Sequence, residues 1–166
     1  MIAPESLLGA ARALLDEYRA RGLKVAIAES CTGGLISACL TEIPGASDVL
    51  DRAFVTYSDS SKTELLGVPE EMIRQHGAVS EPVVRAMAEG ALSRSRAEVA
   101  AAITGIAGPG GGSAQKPVGL VQLAVVKRGG AIRAEHRIFQ GDRTAIRLAS
   151  AALTLQLLRE AVGAGT

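Results

Sequence analysis

The chain has 166 residues, 48% of them hydrophobic, 21% charged and 2% aromatic, with 18 basic against 17 acidic side chains. That length predicts a single domain over residues 1–166 with a substantial core. The near-neutral balance and the scarcity of aromatics argue against a nucleic-acid surface, which needs a concentrated basic face or stacking platforms.

Leu7, Leu8, Ala11, Leu14, Leu15 and Tyr18 recur at helical spacing between Pro4 and Gly22, which predicts an amphipathic first helix. Charges run through this segment, so it reads as neither a signal peptide nor a membrane span. Residues 23–29 (LKVAIAE) read as a short buried strand, and residues 33–43 as a helix stopped by Pro44-Gly45. Ala46 to Leu50 suits one helical turn. The β-branched and aromatic run 52–58 predicts a strand. Residues 61–67 and 69–77 read as two short helices closed by glycine. Ser80-Glu81-Pro82 opens another, running to about Arg94. Residues 97–103 form a third apolar strand, followed by a glycine-dense loop from 104 to 119. Segments 120–126 and 131–139 flank Arg128-Gly129-Gly130 and predict a hairpin. Asp142 suits the cap of a last helix with apolar face Ile146, Ala149, Leu153 and Leu157. The expected class is α/β: a sandwich on a mixed, mostly parallel sheet with one late antiparallel hairpin.

Cys31 and Cys39, if on one helix, stand about 12 Å apart at ~1.5 Å per residue, too far for a disulfide. Free thiols predict a reducing, cytoplasmic setting.

Three stretches can carry chemistry. In AESCTGG, residues 28–34, glycines between a strand and a helix leave N–H groups free for an anion, with Glu29, Ser30, Thr32 and Gly33 as contacts. The same residues also suit a plain tight turn. Ser30 does not sit in a G-x-S-x-G elbow. Cys31 at a helix start gains some activation but has no evident basic partner. His76 and His136 stand apart and have no metal-ligand neighbour at useful spacing, so no metal and no cofactor is expected. Thr104, Gly105 and Gly108 head the glycine-dense loop at a strand end, where open α/β sheets bind ligands. That loop lacks both the dinucleotide and the triphosphate pattern. Finally, Ser47, Tyr57 and Lys62 fall within sixteen residues. A desolvated lysine can deprotonate a serine, with a tyrosine relaying the proton, although such a trio is usually ordinary surface chemistry.

The ordered motifs AESCTGG, VTYSDSSK, LGV, HGAVSEPVV, TGIAGPGGG, KPVG and GDRTAIR resemble the CinA C-terminal domain family, the nicotinamide-nucleotide amidohydrolases, over residues 5–162. The resemblance implies a three-layer α/β/α fold in stand-alone form. It implies hydrolysis of the carboxamide of nicotinamide mononucleotide to nicotinate mononucleotide and ammonia, with no metal, and a homo-oligomer, a dimer first. It maps the serine–lysine chemistry onto Ser47 and Lys62 beside Tyr57. The Ser47 hydroxyl would form an acyl-enzyme, with amides after Gly45 receiving the oxyanion. Ser30 then becomes a substrate contact, and Arg143 with Thr104 and Gly105 serves the phosphate. The family's YSN reads Tyr57-Ser58-Asp59 here, and a carboxylate beside Lys62 would raise its pKa unless Asp59 caps the next helix. A non-catalytic nucleotide-binding module and a competence-related interaction domain stand as the alternatives.

Overall fold

The computed structural model describes residues 2–163. In chain order its elements are α1 (Glu5–Ala20), β1 (Val25–Glu29), α2 (Leu35–Thr41), a 3-10 turn (Ala46–Asp48), β2 (Leu50–Val55), α3 (Asp59–Leu66), α4 (Glu70–His76), α5 (Glu81–Ser93), β3 (Val99–Gly105), β4 (Leu120–Lys127), β5 (Ile132–Ile138) and α6 (Arg143–Gly163). The five strands form one sheet in the order β2-β1-β3-β4-β5. β1 is parallel to β2 and to β3, whereas β3–β4 and β4–β5 are antiparallel. The sheet is therefore mixed, with two parallel and two antiparallel pairings rather than a parallel majority.

The strands alternate between two cores, as period-2 side chains require. Val25, Ile27, Val99, Ala101, Ile103, Val121 and Leu123 face α1, α2 and α6. Ala26, Ala28, Ala100, Ala102 and Ala124 face α5 and the ends of α3 and α4. The layers are thus α/β/α, with bulky residues on one face and alanine on the other. Small residues let α5 lie close: a methyl on Gly90 would stand 2.8 Å from the Leu66 carbonyl carbon of α3. α1 is pinned to α6 by the buried Tyr18 hydroxyl, which donates to Leu158 O at 2.7 Å.

The last helix buries Ile146 and Leu157 of the expected face, and the rest of its buried stripe is shifted. Ile146, Ser150, Thr154, Leu155 and Leu158 are buried, while Ala149 and Leu153 are half-buried. Ser150 and Thr154 enter the core because each hydroxyl donates to the carbonyl four residues back in its own helix. Cys31 lies in the turn before α2 and Cys39 inside it, and both are buried free thiols. Among the described residues no helix is long and apolar enough to cross a membrane.

One topological feature locates the site. The chain leaves β1 for α2 on one face of the sheet and leaves β2 for α3 on the other. Adjacent parallel strands whose connections diverge open a crevice beyond their carboxyl ends. Ser30 and Thr56 stand at that opening, and α3 brings Lys62 over it.

Candidate active site

Lys62 is the second-largest fully buried side chain, 1% exposed, on the first turns of α3. Ser58 caps this helix by accepting from Ser61 N–H at 3.2 Å. The Lys62 amine reaches Ser30 Oγ at 3.0 Å, Thr56 O at 2.7 Å and Tyr57 O at 3.5 Å. No carboxylate pairs with it among the described ion pairs. Burial lowers its pKa below the usual lysine value, against an opposing push from the charge of Asp59. Two carbonyls can take both N–H bonds of a neutral amine, which leaves its lone pair for the Ser30 hydroxyl.

Ser30 is itself 8% exposed and fixed at the end of β1 by Ser30 N–H donating to Ile103 O at 3.1 Å. Thr56 N–H donates to Glu29 O at 2.8 Å. The strand ends at Ser30 and Thr56 are thus tied to the sheet by backbone bonds, and neither depends on a mobile side chain.

A cavity of about 280 Å³ opens over this pair. Its walls include Ser30, Cys31, Tyr57, Asp59, Lys62 and Arg143, with Thr104, Gly105 and Gly108 from the third strand end and its loop. Thr104 donates to Ala78 O at 3.1 Å and joins the β3 end to the segment before α5. Gly105 is needed for closeness: a Cβ there would lie 2.9 Å from Val121 Cγ2 and 3.1 Å from Cys31 Sγ. The loop is anchored at both ends. Arg143 donates to Gly108 O at 2.7 Å, and Lys116 donates to His76 O at 2.5 Å. The second arm of Arg143 donates to the Tyr57 hydroxyl at 2.9 Å.

Several expectations change. Ser47 does not meet Lys62. It is exposed in the 3-10 turn that precedes β2, at the opposite end of the strands, about 17 Å away at ~3.3 Å per residue. Proximity in sequence misled here because β2 runs its full length between the two residues. The amides after Gly45 are remote from the cavity for the same reason. Tyr57 meets the amine through its carbonyl, while its hydroxyl serves Arg143, so a proton relay through the phenol has no support in this geometry.

The AESCTGG turn is not an open anion cradle. Glu29 is fully buried, and its carboxylate accepts from Gly34 N–H (3.1 Å), Ile36 N–H (3.1 Å), Ser37 N–H (2.8 Å) and the Ser37 hydroxyl (2.5 Å). The protein's own carboxylate thus occupies the α2 N-terminus. Thr32 and Gly33 do not line the cavity, and Thr32 O accepts from Arg147 at 2.7 Å. Burial pushes the Cys31 thiol up to about 11, so it is protonated near neutral pH and is no nucleophile. Asp59 does not cap α3 and instead lines the cavity. The sequence reading assigned no role to Arg147, the last residue of the GDRTAIR motif, which braces the Ser30 turn through Thr32 O.

Comparison with known proteins places this architecture. A nicotinamide-nucleotide amidohydrolase, PncC, of Enterobacter agglomerans is 51% identical over 143 residues, 86% of this chain and 87% of that protein. A CinA-like protein of Akkermansia muciniphila is 55% identical over 136 residues, 82% of this chain. The matched region is 33% of that longer relative. The crystal structure of the competence/damage inducible protein CihA from Agrobacterium tumefaciens superposes with a TM-score of 0.93 at 49% identity, covering 97% of this chain and 98% of that one. The CinA C-terminal domain model matches residues 9–162. With that match spanning most of its length, the chain belongs to the CinA C-terminal domain family.

Proposed function

We propose that this chain is an amidohydrolase that converts nicotinamide mononucleotide to nicotinate mononucleotide and ammonia, with Ser30 as nucleophile and Lys62 as its base. The observation that carries this reading is the buried 3.0 Å contact between Lys62 Nζ and Ser30 Oγ at the floor of the cavity. It has independent support in the likeness to PncC of Enterobacter agglomerans over most of both chains.

The pyridinium ring withdraws electrons from its carboxamide and makes the carbonyl carbon a better electrophile. Neutral Lys62 takes the Ser30 proton as Ser30 Oγ bonds to that carbon. The Cys31 amide, next after the nucleophile, makes none of the described backbone–backbone bonds and is a candidate to receive the oxyanion. Lys62 then gives its proton to the departing nitrogen, the C–N bond breaks, and ammonia leaves. Water, deprotonated by the same amine, attacks the acyl ester, releases nicotinate mononucleotide and restores Ser30. The cavity lies just below the range for small-ligand sites, about 300–1,000 Å³, and the phosphate extends out of its open side. There Arg143, already aimed at neutral acceptors, offers a bidentate fork. This reading includes a single-domain, homo-oligomeric protein of a reducing cytoplasm, which suits two free thiols.

Ammonia release by the purified protein tests the proposal. Turnover of nicotinamide mononucleotide, little turnover of free nicotinamide, and trapping of the acyl group by hydroxylamine are expected. Binding of the nucleotide without turnover would instead make the chain a non-catalytic nucleotide module.

A further inference from the structure

The cavity presents three charged side chains from two segments: Asp59 and Lys62 from α3, with Lys62 at the floor, and Arg143 from the start of α6. Lys62 is buried among carbonyls and a hydroxyl, and that burial lowers its pKa below the ordinary lysine value. The Cys31 thiol in the wall is protonated. The exposed charges of the cavity are one anion, Asp59, and one cation, Arg143. Asp59 is exposed and has no structural duty: Ser58 caps α3, and none of the described ion pairs uses Asp59. A cavity with one free charge of each sign suits a zwitterion. A uniformly negative ligand would be repelled by Asp59, and a neutral one would gain from neither charge.

We propose that Asp59 is a specificity-determining residue whose carboxylate selects ligands with a cationic ring and speeds the departure of the product. This inference rests on the amidohydrolase reading above. The substrate ring is cationic and its amide neutral, so Asp59 attracts it. Hydrolysis turns the amide into a carboxylate beside Ser30, and the same Asp59 charge then repels the group just formed. The arrangement carries a cost, because Asp59 also favours the protonated form of Lys62. Burial outweighs that push, which lets the carboxylate remain in the cavity.

The test compares Asp59→Asn and Asp59→Glu with the native protein. Two ligands are used: nicotinamide mononucleotide, and its reduced dihydropyridine form as a competitive inhibitor with a neutral ring. For Asp59→Asn, a KM for the cationic nucleotide raised roughly tenfold is expected, from loss of one partly screened charge contact. The inhibition constant of the neutral-ring form should change less than twofold, and nicotinate mononucleotide should inhibit more strongly. The acid limb of kcat/KM should move to lower pH, since Lys62 loses the neighbour that favours its charged form. Asp59→Glu should keep the native preference. Equal changes for the cationic and neutral ligands, or no change for either, would overturn the role of Asp59 while leaving the hydrolysis itself intact. Absence of turnover in the native protein would sink the amidohydrolase reading, and in that case the Kd ratio of the two ligands still decides the charge selection.

Discussion

The amine of Lys62 lies 3.0 Å from the hydroxyl of Ser30, and the two residues sit on opposite sides of a topological divide. Ser30 leads into a helix on one face of the sheet, whereas Lys62 belongs to a helix on the other. Only the ends of β1 and β2 hold them together. The first prediction follows directly. Ser30→Ala should lower kcat by at least about a thousandfold, as expected when an attacking group is removed. Ser47→Ala, on an exposed turn at the far end of the strands, should stay within about twofold. A dead Ser47→Ala with an active Ser30→Ala would reverse the assignment.

Titration of Lys62 gives a second test with a definite sign. Its folded pKa lies below the ordinary value of about 10.4, because burial disfavours the charged amine. Between the folded and ordinary values, the unfolded chain holds one more proton than the native one. Stability therefore rises with pH across that window, and below it the buried amine costs stability. Lys62→Met lacks this dependence, so the stability difference, native minus variant, should climb as pH rises. In the native protein kcat/KM should increase with pH through the same ionisation. Lys62→Arg should be inactive at every pH, since a guanidinium keeps its proton. Urea melts and rate profiles over a shared pH series would read both.

Glu29 is a structural carboxylate, and the third prediction separates it from the substrate. Glu29→Gln replaces one acceptor oxygen by a donor that faces the α2 amides. The loss should be about 1–3 kcal/mol, the range for unsatisfied buried polar groups. In the folded fraction KM should remain within about twofold. A large KM effect with unchanged thermal stability would return Glu29 to the binding site.

Arg143 gives a fourth prediction. Arg143→Lys keeps the charge but cannot span Gly108 O and the Tyr57 hydroxyl together. The KM for the mononucleotide should rise about tenfold or more, while the riboside without phosphate should be nearly unaffected. Equal losses for both substrates would assign Arg143 to shaping the loop.

A fifth prediction links distant packing to the dyad. Gly90 lets α5 pass against the Leu66 carbonyl at the end of α3, and Arg94 donates to the same oxygen at 3.0 Å. Gly90→Ala must push α3 outward. It should cost about 1–3 kcal/mol by overpacking. It should also reduce kcat, because Lys62 rides on the displaced helix. Melting curves and turnover at a temperature well below the transition distinguish the two effects.

By itself the sequence determined the class, the order of elements and two of the three strand ends that build the cavity. Those features are local: apolar runs such as VAIAE and VAAAI, glycine stops, and the cap at Asp142, where Ala145 N–H donates to Oδ1 at 2.8 Å. It also offered Lys62 as a candidate base, first within a trio that is usually surface chemistry and then through the family resemblance. The partner of that amine was decided only by tertiary structure. Ser47 is fifteen residues from Lys62 and Ser30 thirty-two, yet parallel pairing of β1 with β2 brings the more distant serine alongside and carries the nearer one to the far end of the sheet. The same holds for Glu29, whose carboxylate is drawn inward by four donors of α2, and for Asp59, freed for the cavity once Ser58 caps the helix. Period and propensity act over a few residues, whereas strand register and helix placement act across the whole fold, and these set which polar groups meet.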